Sequence, residues 1–402
     1  MNAERGVGVS GPLAPHARGF AGELDRLGYK TEPARKQLQL AAHLSEWLAG
    51  KGLGTCDLSG EAVSAFLAAR RKAGHREHIT AKALAPLLDY LRSLGVAPEP
   101  RPVAAQTVAE RLLADYCGWL LTERGLRPKV VRGYVDSVAP FVTAHAGDGE
   151  ARMQELAAGD VTAFMTAQAR RLAPKTVQRA ASALRSLLRY WHVQGLISGP
   201  LDKAVLRTAN RRPGLPQPLA PGQAAALLAS CDTGTPAGRR DLAMLILLAR
   251  LGLRAGEVAG LMLEDIDWRN GEITIAGKGG RRDRLPLPPD AGEAIAAWLQ
   301  DGRPADALDR CVFIRVHAPR RGLTAGGVTQ AVAAASQRAG LGTIYAHRLR
   351  HTAATAILAG GGSLAEVGQV LRHARPLTTA AYVKVDVEAL RALARPWPGA
   401  RA

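Results

Sequence analysis

The sequence predicts a mostly α-helical protein with one small antiparallel β-sheet in its C-terminal half. Apolar residues recur at helical spacing through the first half of the chain. One stretch reads as a strand pair: GEITIA (271–276), the turn KGGRRD (278–283), then RLPLP (284–288). Aromatics are 4% of the residues, so the cores must rest on Ala, Leu and Val, which suits packed helices.

The elements follow in order. Residues 1 to about 17 show no periodicity. From Phe20 to Val96 three apolar stripes appear, centred on Leu44, Phe66 and Leu88. The proline-rich APEPRPVAAQ (97–106) reads as a linker. A second helical block, Val108 to Ile197, looks like a weak copy of the first. DLSGEAVSAFLAAR (57–70) aligns with ELAAGDVTAFMTAQ (155–168), and LLDYLRSLGV (87–96) with LLRYWHVQGL (187–196). The offsets, 98 and 100, are nearly equal and favour duplication over the chance likeness of short amphipathic helices. A basic, proline-rich connector follows, and four prolines within 213–221 forbid a continuous helix there. The expected domains are 1–103, 104–208 and 219–402, with 209–218 as linker.

The third block is mixed. Helices are expected at 221–231, 237–251, 255–263, 289–301 and 324–339, with a short strand CVFIRV at 311–316. HRLRHTAATAILA then reads as a helix stopped by Gly360 to Gly362. Ser363 is a good N-cap for the next helix, and Glu366 completes a capping box. A turn and a further helix carry His373 and, nine residues on, Tyr382.

Length and charge bound the function. The 402 residues carry a net charge of +18, with a pI near 10.4. Such charge reflects either an arginine-rich proteome or a polyanionic partner, nucleic acid before a membrane surface. Cys56, Cys117, Cys231 and Cys311 are scattered without metal-ligand spacing, as expected of thiols in a reducing cytosol. The N-terminus has no apolar signal core. The longest apolar run, Leu242 to Leu253, is broken by Arg250 and too short to span a bilayer. The expectation is a soluble cytoplasmic, nucleoid-associated protein.

Single residues carry little weight alone. His347 and Arg350 share a helix face, which is equally the pattern of a salt-bridged surface. Arg254 and Glu257 read as an ordinary surface pair, and Lys278 at a glycine-rich tip as an edge-strand solubility device. Their order is what tells. Arg254, Lys278, His347, Arg350, His373 and Tyr382 sit in the words GLRAGE, GKGGRRDRLPLP, HRLRHTAAT and VLRHARPLTTAAYVKVD. These words resemble the tyrosine recombinase (phage integrase) family, over residues from about 108 to 395 and most strongly after 240. One departure stands out: Leu371-Arg372-His373 replaces the usual Leu-Gly-His, adding a DNA contact or simply tolerated at a helix end.

The resemblance implies SAM-like helical domains ahead of a mostly helical catalytic domain. It implies a site-specific recombinase or integrase of a mobile element, cutting and rejoining DNA through a 3′-phosphotyrosine. Tyr382 would be the nucleophile, assisted by His347, while Arg254 and Arg350 clamp the phosphate. His373 would hydrogen-bond the phosphate, and Lys278 would protonate the leaving 5′ hydroxyl. No metal, cofactor or ATP is expected. Lys175, Arg179, Arg211, Arg212, Arg281 and Arg282 are the candidate DNA-contacting cations, although a charged helix is often only a solvated face. The partners implied are double-stranded DNA and a homo- or hetero-tetramer on two sites, with sister recombinases as candidate subunits and no membrane. The tail after Tyr382, from Val385 to Trp397, would dock on a neighbouring subunit or pack on its own domain. A type IB topoisomerase and a non-catalytic DNA-binding subunit are the alternatives.

Overall fold

The computed structural model describes residues 7–100, 107–146, 151–205, 217–277 and 281–372. Chain contacts divide it into two units, Arg101–Arg212 and the combination of Met1–Pro100 with Pro213–Ala402.

The first block is built from α1 (Ala14–Arg26), α2 (Thr31–Ala49), α3 (Gly60–Lys72) and α4 (Ala81–Ser93). Leu13, Phe20, Leu44, Phe66 and Leu91 meet in its core. Helix α3 starts where Ser59 accepts a hydrogen bond from the Ala62 N–H, one of the donors a helix start leaves unpaired.

The Arg101–Arg212 unit holds α5 (Val108–Thr122), α6 (Pro128–His145), the short α7 (Ala151–Gln154), α8 (Ala158–Arg171) and α9 (Pro174–Val193). Thr107 and Glu110 close a reciprocal capping box on α5. Its core gathers Tyr116, Phe141 and Trp191. Proline at the first position of α6 and α9 costs nothing, because a helix's first N–H has no intrahelical acceptor.

The third block runs α10 (Gln223–Ala229), α11 (Pro236–Arg250), α12 (Ala255–Ala259), β1 (Ile266–Asp267), β2 (Glu272–Ala276) and β3 (Arg282–Pro286). It continues with α13 (Pro289–Asp301), α14 (Ala325–Arg338), α15 (Ala346–Ala359) and α16 (Leu364–Val370). The sheet is antiparallel, ordered β1-β2-β3, with Ile273 opposite both Ile266 and Leu285. Trp298 is fully buried in the core and donates from its indole to the Val312 carbonyl at 2.8 Å. No helix among the described residues is long and apolar enough to cross a membrane.

Two expectations for this block need correcting. The stretch 311–316 is no strand; it makes only the isolated bridges Met262–Cys311 and Ile314–Gly322. Val312, Phe313 and Ile314 are consecutively buried, and their backbone groups bond Leu261, Leu323 and the Trp298 indole instead of a ladder. An apolar run signals burial here, not pairing. The helix expected at 255–263 stops at Ala259, and Leu263–Asp265 form a separate 3-10 turn. Asp265 closes that turn: its carboxylate accepts from the Met262 N–H at 3.0 Å and from Arg282.

The first and third blocks meet at a turn. The Arg320 N–H donates to the Leu27 carbonyl at 2.9 Å, and Arg321 pairs with Asp89 at 3.2 Å. Gly28 has φ +78° and lies so close that a Cβ there would stand 2.2 Å from Arg320 Nε. Only glycine meets both demands.

Candidate active site

The site is built from two turns, one at Gly252 and one at Leu371–Arg372, and one helix. Helix α11 ends at Arg250, and the chain reverses through Gly252 at φ +56°. A Cβ on Gly252 would lie 2.7 Å from Leu371 Cδ2, so the left-handed backbone and the close packing both call for glycine. Arg254 then N-caps α12, its backbone N–H donating to Glu257 Oε2 at 2.8 Å. On the other side, Ser363 and Glu366 close the expected capping box on α16. Helix α16 packs Val367 and Leu371 against Ala354 of α15.

Arg350 joins these turns. Only 2% exposed, it projects from α15 and donates from one terminal nitrogen to the Gly252 carbonyl at 2.5 Å. The other donates to the Leu371 carbonyl. Hydrogen bonds from a charged donor contribute about 1.5–3 kcal/mol each, enough to hold the three segments in register. Guanidinium has five N–H donors in a rigid plane, so two carbonyls do not exhaust it.

Arg254 keeps its side chain 44% exposed while pairing with Glu257 at 2.6 Å. The Glu257 side chain is 6% exposed. Burial pushes its carboxyl up. The Arg254 N–H and the guanidinium groups of Arg372 and Arg254 outweigh burial and hold it below its ordinary value. Arg372 is a finding the spacing did not show. It is no DNA contact: its side chain is 4% exposed and turned inward, donating to Glu257 Oε2 at 2.7 Å.

His347 lies exposed in the first turn of α15, its ring 4.4 Å from that of His351. Sequence reasoning passed over His351, although one helical turn separates it from His347. Burial, with His347 and Arg350 beside it, pushes the His351 imidazole down to about 4. The unfolded chain takes up this proton near 6.5, above the folded value, so stability falls as pH drops from 6.5 towards 4. The His351→Gln chain is expected to lose part of that decline in thermal unfolding across the same window. An unchanged slope would show that the ring carries no such linkage.

The remaining expected site residues are placed as follows. Lys175 and Arg179 are exposed on the first turns of α9. Arg281 and Arg282 are 66% and 63% exposed and already pair with Asp283 and Asp265. Lys278, Arg211, Arg212, His373, Tyr382 and the tail from Val385 to Trp397 lie outside the described residues. Among those described, no group of three or more His, Cys, Asp or Glu side chains gathers as a metal site. Burial raises the Cys231 thiol; burial and then Asp309 push Cys311 up to about 11. Both remain thiols rather than nucleophilic thiolates at neutral pH.

Comparison with known proteins gives the family. Residues 217–389 match the Phage integrase family, and residues 113–195 match the Phage integrase N-terminal SAM-like domain. A putative integrase/recombinase, y4rA of Sinorhizobium fredii, is 40% identical over 397 residues, covering 97% of this chain and 95% of its own. Tyrosine recombinase XerD of Listeria monocytogenes is 30% identical over 282 residues, covering 68% of this chain and 94% of its own. In fold the chain is similar to the XerH site-specific recombinase in a post-cleavage complex with a palindromic difH substrate. That likeness has a TM-score of 0.57 and 18% identity, over 82% of this chain and 93% of that one. Near-complete coverage by a relative of this similarity leaves little room for another affiliation: the chain belongs to the phage integrase family of tyrosine recombinases, enzymes that cut and rejoin DNA.

Proposed function

We propose that this enzyme is a site-specific recombinase that attacks a DNA phosphodiester with Tyr382 and conserves the bond as a 3′-phosphotyrosine. The observation that supports it best is Arg350, a buried guanidinium binding the turn before Arg254 to the turn before His373. Two arginines, Arg254 at the head of α12 and Arg350 on α15, suit the charge that grows on the nonbridging oxygens in the transition state. A tyrosine hydroxyl, with an ordinary pKa of about 10, needs help to attack at neutral pH. In this reading His347 assists that proton's removal and His373 hydrogen-bonds the phosphate. Lys278 supplies the proton to the departing 5′ oxygen.

The DNA is gripped by cations outside this centre. Lys175 and Arg179 at the start of α9 suit backbone phosphates, with Arg211, Arg212, Arg281 and Arg282 as further contacts. Residues 1–103 form an additional helical module, duplicated from the core-binding block at 104–208, ahead of the catalytic block at 219–402. Exchange between two duplexes breaks four strands, so four copies, or copies mixed with sister recombinases, act together on two sites.

The test is a duplex carrying the target site with a nick beside the scissile phosphate, so that the short fragment bearing the released 5′ hydroxyl is lost and ligation fails. A covalent protein–DNA species is expected in EDTA without ATP, and its peptide map should end on Tyr382. An adduct that needs added Mg²⁺, or that maps to another residue, would overturn this chemistry.

A further inference from the structure

Arg372 stands at φ +52°, a backbone region that side-chain-bearing residues occupy at a cost. Its guanidinium is almost wholly enclosed, and its Nε is buried without a hydrogen-bond partner. Both features oppose keeping an arginine here for stability alone. What it gains is a shared carboxylate. Glu257 takes Arg372 on Oε2 at 2.7 Å and Arg254 on Oε1 at 2.6 Å, and Oε2 also accepts the Arg254 backbone N–H at 2.8 Å. The residues come from places 115 positions apart in the chain.

The charge balance explains the arrangement. Arg254 and Glu257 alone would form a neutral pair, whose field at a nearby phosphate largely cancels. A pair in which the carboxylate holds only one partner also draws that partner fully onto itself. With Arg372 on the opposite oxygen, the carboxylate's attraction is divided and the group carries one net positive charge. Arg254 is then anchored at one nitrogen yet remains a cation towards the open side, where it is 44% exposed.

We propose that Arg372 is a positioning residue for strand cleavage: by sharing Glu257 with Arg254, it fixes that arginine without neutralising it. The inference rests on the reading of Arg254 as a phosphate clamp. It predicts an effect on the rate of cutting and none on DNA affinity, because Arg372 is shielded from solvent.

The experiment is single-turnover cleavage of the nicked duplex by full-length Arg372→Met, Arg372→Lys and Arg372→Gly, with DNA affinity and thermal unfolding measured in parallel. Met keeps the length and removes the charge; Gly also relieves the backbone. Both are expected to cut about tenfold slower or worse, within the range for residues coupled through one ion-pair network. Their DNA Kd should stay within about twofold of the parent, since a phosphate contact would shift it more. Lys should recover most of the rate. Full-rate cutting by a folded Met variant, or failure of a folded Lys variant to exceed Met, would overturn the role. Gly gives a variant without backbone strain in case Met fails to fold.

A double-mutant cycle separates this proposal from the one beneath it. In an Arg254→Lys background the Arg372→Met change should cost little more, because its effect passes through Arg254. An undiminished effect there would show that Arg372 acts elsewhere. Normal cleavage by Arg254→Ala would instead remove the clamp reading itself.

Discussion

Arg350→Lys is expected to slow DNA cleavage by about 10²–10³-fold, the usual loss when one preorganised donor to a developing oxyanion is removed. The substitution keeps the charge and discards the planar fork. An ammonium on a flexible stem can satisfy the Gly252 carbonyl or the Leu371 carbonyl while facing a phosphate, but not all three in the geometry of the arginine. A buried carbonyl left unpartnered costs about 1–3 kcal/mol, so the variant should also unfold at a lower temperature. Single-turnover cleavage at a temperature where the variant is folded separates the two effects. Near-normal cutting under those conditions would show that the fork is not needed.

Tyr382→Phe is expected to remove covalent adduct formation entirely while leaving DNA binding within about twofold. Phenylalanine differs by one oxygen, and that oxygen is the proposed nucleophile. A two-step transfer needs an atom that both attacks phosphorus and leaves again, and the phenylalanine ring offers none. Filter binding on an intact site, beside a denaturing gel on the nicked one, reads both quantities. A trapped adduct from the phenylalanine chain would relocate the nucleophile.

How much of this was legible in the sequence depended on the range of the interactions. Capping is local, so Ser363 with Glu366 could be read from a spacing of three; Arg254 with Glu257 has the same spacing but read as a surface pair, because the burial of Glu257 is not local. The helical blocks could be read because 3.6-residue periodicity is a local property too. The stretch 311–316 misled because consecutive apolar residues report burial, and burial does not require a ladder partner. The two-residue strand Ile266–Asp267 is too short to leave a periodic signature. Arg372 was visible as a departure from the usual glycine, but its direction was not. Whether a side chain faces solvent or a carboxylate 115 residues away depends on how two turns pack, which no short window contains. His351 is the opposite case: its position one turn from His347 was in plain view, and only its loss of basicity required the fold.

The burial of Arg350 has a consequence for timing. A side chain 2% exposed and tied to carbonyls on two turns cannot swing in and out of place without opening the core around it. In the proposed reading this arginine is therefore set by the fold itself rather than by a movable loop. A recombinase that cut every duplex it touched would damage its host. With the arginine fixed, the proposed chemistry leaves the decision of when to cut to groups not locked in that core.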